Sequence, residues 1–186
     1  IVVVAWLTRN DALTRVHHLF PPMPYSVAIG LLICGVGLMA SAGGWRRLAG
    51  AIACVVLMLG LATLVEDGLG VNWNLHRTLL NGLVDDFAVG MAPSSALSFV
   101  LVGVGLLAVA LHPLRGSLVC AICGTTVAAQ SGVAFLWYGF GFEGFYVVTD
   151  NAPHVSAGLA VVGIGLVASL GGHPARVLAR PPVAEL

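Results

Sequence analysis

Apolar and polar stretches alternate along this chain in a way that predicts membrane-spanning helices. Five apolar segments of about 17 to 22 residues are separated by stretches rich in proline, glycine, arginine and acidic residues, and about 20 apolar residues cross a bilayer as a helix. The segments lack the alternation of period two that marks a membrane barrel strand. We therefore predict helices at 25–42, 48–65, 94–111, 117–138 and 154–170.

The stretches between these segments predict shorter elements. Residues 1–7 are apolar but too short to cross a membrane, and we expect them to be the end of a truncated first helix. In the longest connection, residues 74–83 place leucines at helical spacing opposite His76 and Arg77, which predicts a short helix in the plane of the interface. The domain organisation is then a membrane-embedded helical domain at 1–172 and a cytoplasmic tail or linker at 173–186.

One motif occurs in three of the predicted helices. Gly-x-Gly-Leu begins at Gly35, Gly103 and Gly163, and a recurrence after about 60 to 70 residues of apolar sequence predicts a repeated pair of membrane helices. Glycine lets helix backbones approach closely in a membrane, so we expect these positions to pack helices together, with a cofactor pressed against them as the alternative. The six packing positions are Gly35, Gly37, Gly103, Gly105, Gly163 and Gly165. The predicted fold is an all-α polytopic membrane bundle of about five full spans, built from repeated helix pairs.

Composition narrows the class of protein. Hydrophobic residues make up 59% of the chain and charged residues 9%, and the mean hydropathy is +0.99, which excludes a soluble globular surface. The formal net charge of zero and the lack of a basic patch exclude nucleic acid as a partner and leave the lipid bilayer. The Cys120-x-x-Cys123 spacing lies inside an apolar helix and has no second pair, so we do not expect a metal or redox site there.

The arginines predict the orientation of the helices. Most arginines follow the first, third and fifth helices, whereas most acidic residues lie in the opposite connections. Arginine excess in short loops marks the cytoplasmic side, so the C-terminus is expected in the cytoplasm and the long connections outside. The arginines on the cytoplasmic side are Arg46, Arg47, Arg115, Arg176 and Arg180.

Two stretches carry a family resemblance. Residues 91–101 (MAPSSALSFVL) resemble the M-x-P-N-T-A-L-x-F-L-L run of the N-terminal multi-helix membrane sensory (MASE-like) domains of bacterial sensor histidine kinases and diguanylate cyclases, and residues 151–157 (NAPHVSA) resemble the later M-x-x-H-T-A-L copy. The resemblance implies a sensory domain of the bacterial inner membrane, followed in its relatives by PAS, kinase or GGDEF modules. Here Ser94 and Ser95 replace Asn-Thr, and no output module is present before Leu186. The chain is then either a fragment of a longer sensor or a free-standing relative.

Polar and aromatic residues collect near the outer ends of the predicted helices. Glu66 and Asp67 end the second helix, and His154 opens the fifth where the other copies have Ser26 and Ser94. Ionisable groups beside a span are costly and often functional, although a solvated helix end or a simple cap is the alternative. We expect one outer vestibule that binds a ligand, formed by Glu66, Asp67, Trp73, His76, Tyr138, Glu143 and His154.

Two functions fit these observations. The first is a sensory input domain that binds a small apolar or amphipathic ligand outside and signals to a cytoplasmic module. The second is a structural or pigment- or cofactor-associated accessory subunit of a larger membrane complex. The partners expected besides lipid are a small apolar ligand and either a second copy of the chain or a larger membrane complex. The chain carries no catalytic motif. If it is a fragment, the family resemblance implies that the full-length protein is a histidine kinase or diguanylate cyclase. The sequence does not indicate whether the ligand is a quinone, a metal ion, haem or a lipid.

Overall fold

The described part of the chain is helical apart from short turns. A computed structural model describes residues 24–70, 91–113, 115–140 and 153–171. They form α1 (Tyr25–Ala42), α2 (Arg46–Leu69), α3 (Pro93–Leu111), α4 (Gly116–Gly139) and α5 (Pro153–Gly171). Each helix is long and apolar enough to cross a membrane. The predicted all-α bundle with five spans is confirmed, and the chain is a multi-pass membrane protein.

Four helices end close to the predicted positions, but α2 is longer at both ends. It begins at Arg46, whose guanidinium donates hydrogen bonds to the carbonyl oxygens of Ala110 (3.1 and 2.9 Å) and Leu111 (3.0 Å) at the end of α3. It continues through the acidic pair and ends before Gly70, which has a φ of 60°. Glycine adopts positive φ without the steric penalty of a Cβ, so Gly70 terminates the helix rather than the acidic residues.

Successive helices run in opposite directions, and the two ends of the bundle differ in charge. Helices α1, α3 and α5 begin at the end where α2 and α4 finish. The charged side chains of the described residues separate between these ends. Glu66 and Asp67 lie at the end where α1, α3 and α5 begin, which we call the polar end. Arg46, Arg47 and Arg115 lie at the opposite end, which we call the arginine end.

Helices α1, α3 and α5 contact one another and form what we call the inner ring. At each contact, the second glycine of one Gly-x-Gly-Leu motif faces the leucine of another. Distances from a Cβ placed on the glycine to the nearest leucine Cδ are 3.1 Å for Gly37 and Leu106, 2.8 Å for Gly105 and Leu166, and 3.0 Å for Gly165 and Leu38. The leucine fills the space that the glycine leaves, and the order α1 to α3 to α5 and back to α1 closes the ring.

Helix α2 lies in the groove between α1 and α3. A Cβ placed on Gly103 of α3 would be 2.8 Å from the backbone nitrogen of Leu57, and one placed on Gly60 would be 2.7 Å from the carbonyl oxygen of Ala96. On its other side, the Cγ2 atom of Ile52 lies 2.9 Å from a Cβ placed on Gly37 of α1. Backbone approaches this close require glycine, so α2 and α3 are held together at two glycine contacts.

Helix α4 lies in the groove between α3 and α5. A Cβ placed on Gly163 of α5 would be 2.6 Å from the backbone nitrogen of Ala128, and one placed on Gly124 would be 2.9 Å from the carbonyl oxygen of Gly163. On the other side, the Cβ of Cys123 lies 3.3 Å from a Cβ placed on Gly105 of α3. The backbone of α2 therefore packs on Gly103 of α3, and the backbone of α4 packs on Gly163 of α5. In both cases the contact is the first glycine of the motif in the next helix of the chain.

The first copy of the motif is different at Gly35. No described atom lies within 4 Å of a Cβ placed on this glycine. The other five motif glycines lie at helix contacts within the described residues, and Gly35 does not. The glycines and the leucine have the same spacing in all three copies of the motif. The different surroundings of Gly35 therefore come from the helices around α1 and not from the motif.

The remaining helix surface is apolar. Large exposed side chains occur on all five helices, including Met39 (76% exposed), Leu118 (68%) and Val161 (68%). Such a surface is suited to lipid tails rather than water. The predicted interfacial helix at 74–83, residues 1–7 and the tail at 173–186 lie outside the described residues.

Candidate functional site

The residues predicted to bind a ligand are only partly described. Glu66 and Asp67 in the last turn of α2 and His154 in the first turn of α5 lie at the polar end. Glu66 is half-buried and Asp67 is exposed. Tyr138 belongs to α4, but its side chain is outside the described part. The other three predicted residues, Trp73, His76 and Glu143, also lie outside it.

His154 has an unusual environment for a histidine. Both nitrogens of its ring are buried, and neither has a hydrogen-bond partner among the described residues. His154 precedes Gly158 by one helical turn and so lies on the same side of α5. A Cβ placed on Gly158 would be 2.7 Å from a methyl group of Leu31, which shows that this side faces α1. A neutral imidazole has one donor and one acceptor, and each costs about 1–3 kcal/mol when buried without a partner.

A second unsatisfied group lies close by in the sequence. The hydroxyl of Ser156 is buried without a hydrogen-bond partner among the described residues, and the residue is 1% exposed. Hydroxyls inside helices usually donate to the carbonyl oxygen four residues earlier, as Thr63 does to Leu59 at 3.1 Å. Because α5 begins at Pro153, no carbonyl of α5 lies four residues before Ser156. Ser156 precedes Gly163 by two turns and lies on the face that packs against α4.

A polar link joins α3 and α4 at the same end. The side-chain amide of Gln130 donates a hydrogen bond to the hydroxyl of Ser98, which donates to the carbonyl oxygen of Ser94 at 2.9 Å. Ser98 is 1% exposed, so the link is enclosed by the helices. Hydrogen bonds between helices in a membrane stabilise their association because the surrounding lipid offers no alternative partner.

Buried polar residues are concentrated toward the polar end. Among the described residues, Ser41 is the one such residue at the arginine end. The buried polar residues in the other half are Thr63, Ser95, Ser98, Ser131 and Ser156. Together with the imidazole of His154 and the amide of Gln130, they supply neutral donors and acceptors inside an apolar bundle. Thr63, Ser95 and Ser98 already have partners. Among the described residues, the imidazole of His154 and the hydroxyl of Ser156 are the buried side-chain groups left to bond a small polar partner.

Sequence reasoning identified His154 but not Ser98, Gln130 or Ser156. The serines resemble the small residues that pack membrane helices, and nothing in their spacing distinguishes a hydrogen-bonding role. Gln130 did carry a signal, because an amide in the middle of an apolar helix requires a polar partner. Its partner could not be identified without knowing which face of α3 meets α4.

The cysteines of the CxxC spacing have a packing role in the structure. Cys120 and Cys123 are buried free thiols where α4 contacts α3 and α5. The thiol of Cys120 donates a hydrogen bond to the carbonyl oxygen of Leu166 at 3.6 Å. Within the described residues, no group of three His, Cys, Asp or Glu side chains is placed to hold a metal ion. Both side chains fill space between helices, and the thiol of Cys120 also links α4 to the backbone of α5.

Comparisons of the chain with protein-family models, with curated proteins and with solved structures gave no match. The resemblance of residues 91–101 and 151–157 to sensory membrane domains therefore stays a prediction.

Proposed function

We propose that this chain is a sensory input domain of the bacterial inner membrane, which binds a small amphipathic molecule at the polar end. The observation that carries the proposal is His154, whose two ring nitrogens are buried without a hydrogen-bond partner among the described residues. Native proteins rarely leave such groups unsatisfied, and a bound molecule would satisfy them. A hydroxyl or carbonyl on an apolar body fits the apolar side of α5 that faces Leu31. A quinone or a lipid has this chemistry.

The proposed signal passes along α5. This helix begins beside the polar end, contacts α1, α3 and α4, and leads to the tail at 173–186. The arginine end is proposed to lie in the cytoplasm, because arginine excess in short loops marks that side. A ligand that contacts the first turn of α5 would then bias its position, and the tail would convey the change to a cytoplasmic module.

The test compares two histidines at opposite ends of the bundle. His154→Phe removes the unsatisfied nitrogens and keeps a ring, and His112→Phe changes the exposed histidine that follows α3. Each protein is purified in mild detergent and extracted with organic solvent, and the bound molecules are quantified by mass spectrometry. We expect a copurifying quinone or lipid to fall at least tenfold in the His154 variant and to persist in the His112 variant. Equal retention in both variants would refute the proposal.

A second candidate function is supported by Gly35. Its open surroundings within the described residues leave room for a helix of another chain, as expected for an accessory subunit of a larger membrane complex. The sequence that follows Leu186 in the intact gene discriminates the two functions. A PAS, kinase or GGDEF module supports the sensory domain, and a stop codon supports the accessory subunit.

A further inference from the structure

The arginine end has a positive charge that nothing in the described part of the chain balances. Arg46, Arg47 and Arg115 are exposed there, and we call these three residues the arginine patch. The acidic side chains of the described residues are Glu66 and Asp67, and both lie at the polar end. An anionic partner therefore meets no opposing carboxylate at the arginine end within the described residues.

The fold brings the arginine patch together from two separate connections. Helix α2 begins beside the end of α3, because a Cβ placed on Gly50 lies 3.6 Å from the Cβ of Ala110. Helix α4 begins beside the same end, where the backbone N–H of Gly116 donates a hydrogen bond to the carbonyl oxygen of His112 at 2.6 Å. The first two arginines lie about one turn before Gly50, and Arg115 directly precedes Gly116. All three therefore lie around the last residues of α3.

The patch contains one arginine that is held by the fold and two that are not. The guanidinium of Arg46 donates to the carbonyl oxygens of Ala110 and Leu111, which holds it against the end of α3. The guanidiniums of Arg47 and Arg115 have no hydrogen-bond or ion-pair partner among the described residues. Each offers a fork of N–H donors that matches two oxygens of a phosphate. Arg46 therefore positions the start of α2, and Arg47 and Arg115 are left to bind an anion.

The patch lies at the depth of the lipid headgroups. Helix α3 has 19 residues, which span about 28 Å, close to the hydrocarbon thickness of about 30 Å. The arginines around its end are then level with the phosphates of one leaflet. The apolar side chains beside the patch are exposed, and they include Trp45 (66%), Leu111 (60%) and Leu118 (68%). A partner at this place would contact guanidiniums with its charged part and apolar side chains with the part that reaches into the membrane.

We propose that the arginine patch binds the headgroup of an anionic phospholipid, with its phosphate between Arg47 and Arg115 and its acyl chains along Leu111 and Leu118. A phospholipid joins a phosphate to apolar chains in one molecule, which matches both parts of this surface. A zwitterionic lipid carries its own cation, and the described residues at this end offer no carboxylate to bind it. A free phosphate or an acidic peptide would leave the apolar side chains without a contact.

Lipid titration of the purified protein tests the proposal. The full chain is stripped of lipid in mild detergent, and native mass spectrometry measures its affinity for the first molecule of phosphatidylglycerol or of phosphatidylcholine with the same acyl chains. We expect phosphatidylglycerol to bind about tenfold more tightly, because each arginine near an anionic headgroup contributes about fivefold in affinity. In the variant that combines Arg47→Gln with Arg115→Gln, this preference should disappear. Arg46 is kept, since it holds α2 to α3.

The matched control removes the same charge elsewhere in the chain. Arg9→Gln with Arg15→Gln changes two arginines of the connection before α1, which begins at the polar end. This variant should bind phosphatidylglycerol as the unchanged protein does, and both variants should keep its melting temperature in lipid-free detergent. Equal losses of affinity in the two variants would show that net charge governs binding and would overturn the proposal. Equal affinity of the unchanged protein for the two lipids, or a preference that survives the loss of Arg47 and Arg115, would overturn it as well.

Salt and soluble anions give a test that needs no substitution. Raising the ionic strength from about 0.05 to about 0.5 M should lower the affinity for phosphatidylglycerol several-fold and leave that for phosphatidylcholine unchanged, because salt screens exposed charges. A preference that salt does not change would contradict binding by the exposed arginines. Glycerol 3-phosphate or a tetraglutamate peptide that binds as tightly as phosphatidylglycerol would assign the patch to a soluble anion and overturn the proposal. These outcomes do not depend on the ligand proposed at His154, which lies at the opposite end of the bundle.

Discussion

Gln130 on α4 donates a hydrogen bond to the hydroxyl of Ser98 on α3, across the contact between the two helices. Ser98 in turn donates to the carbonyl oxygen of Ser94, so that one buried hydroxyl connects the amide of one helix to the backbone of another. This link lies in the half of the bundle that contains His154 and Ser156. The polar end is therefore held together by hydrogen bonds between some of its polar groups while others have no described partner.

Gln130→Leu should destabilise the bundle, because it removes the donor and leaves Ser98 without its interhelical partner. We expect a loss of about 0.5–1.5 kcal/mol, the usual contribution of a hydrogen bond between membrane helices. A double-mutant cycle with Ser98→Ala, measured by denaturation in detergent, should show coupling of the two losses. Thr126→Val is the control, since this exposed hydroxyl bonds to Ile122 of its own helix at 2.8 Å. Strictly additive losses would show that the link contributes nothing.

Gly163→Ala should destabilise the contact between α4 and α5. The new methyl carbon would lie 2.6 Å from the backbone nitrogen of Ala128 and 2.8 Å from the carbonyl oxygen of Gly124, and backbone atoms cannot move aside locally. We expect a loss of about 1–3 kcal/mol from overpacking, seen as a lower melting temperature in detergent. Gly132→Ala, on the open side of α4 among the described residues, should be neutral or slightly stabilising. Equal melting temperatures for the two variants would show that α4 and α5 do not approach each other this closely in the purified protein.

Most helix ends could be predicted from the sequence because lipid imposes one requirement on every span. Backbone groups in a membrane must be satisfied within the helix, so each apolar segment between polar or proline-rich stretches forms a helix of that length. Helix α2 is the exception. Its apolar run stops at Val65, which predicted an earlier end, but the structure continues the helix through Glu66 and Asp67 to Leu69. At its other end, Arg46 is held by carbonyls of α3, a tertiary contact that no local pattern shows.

The candidate site was harder to predict because its groups meet across helices. The three Gly-x-Gly-Leu copies indicate which helices pack closely but not which neighbour each glycine meets. Gly35 and Gly103 have the same local sequence, yet their surroundings among the described residues are opposite. The role of Ser98 likewise depends on the rotation of α4, which brings Gln130 to it. The rotation of each helix about its own axis is set by packing against its neighbours, and a uniformly apolar sequence does not indicate it.

Ser156→Ala should distinguish an empty polar end from an occupied one. In the purified protein stripped of bound molecules, removing a buried hydroxyl without a described partner should be neutral or should stabilise the fold by about 1 kcal/mol. In protein purified under conditions that retain a ligand, the same change should lower the melting temperature if that ligand also reaches the face of α5 that packs against α4. Ser98→Ala is the comparison, and it should destabilise in both conditions because Gln130 loses its acceptor. Destabilisation by Ser156→Ala in stripped protein would show that its hydroxyl has a partner within the chain.

Arg46→Ala should weaken the arginine end of the bundle. The guanidinium of Arg46 binds two of the last carbonyl oxygens of α3, groups that have no partner within their own helix. We expect a loss of about 1 kcal/mol, and Arg46→Lys should recover only part of it because an ammonium cannot reproduce the forked geometry. Arg47→Ala, at the adjacent exposed position, is the control and should change the melting temperature little. Equal effects at the two positions would indicate that only the charge contributes.

The orientation of the bundle can be measured with single cysteines at its two ends. In a cysteine-free background, Trp45→Cys places a thiol in the turn between α1 and α2, and Asp67→Cys places one in the last turn of α2; both positions are exposed. A membrane-impermeant maleimide added to intact cells should label Asp67→Cys at once and Trp45→Cys only after permeabilisation. The physical reason is that Arg46 and Arg47 beside the turn resist transfer across the membrane during insertion, whereas acidic residues have little effect on orientation. Arg176→Cys should label with Trp45→Cys, and Asp85→Cys with Asp67→Cys. The reverse pattern would place His154 and the polar end in the cytoplasm. The proposal that the domain binds its ligand from outside would then be wrong.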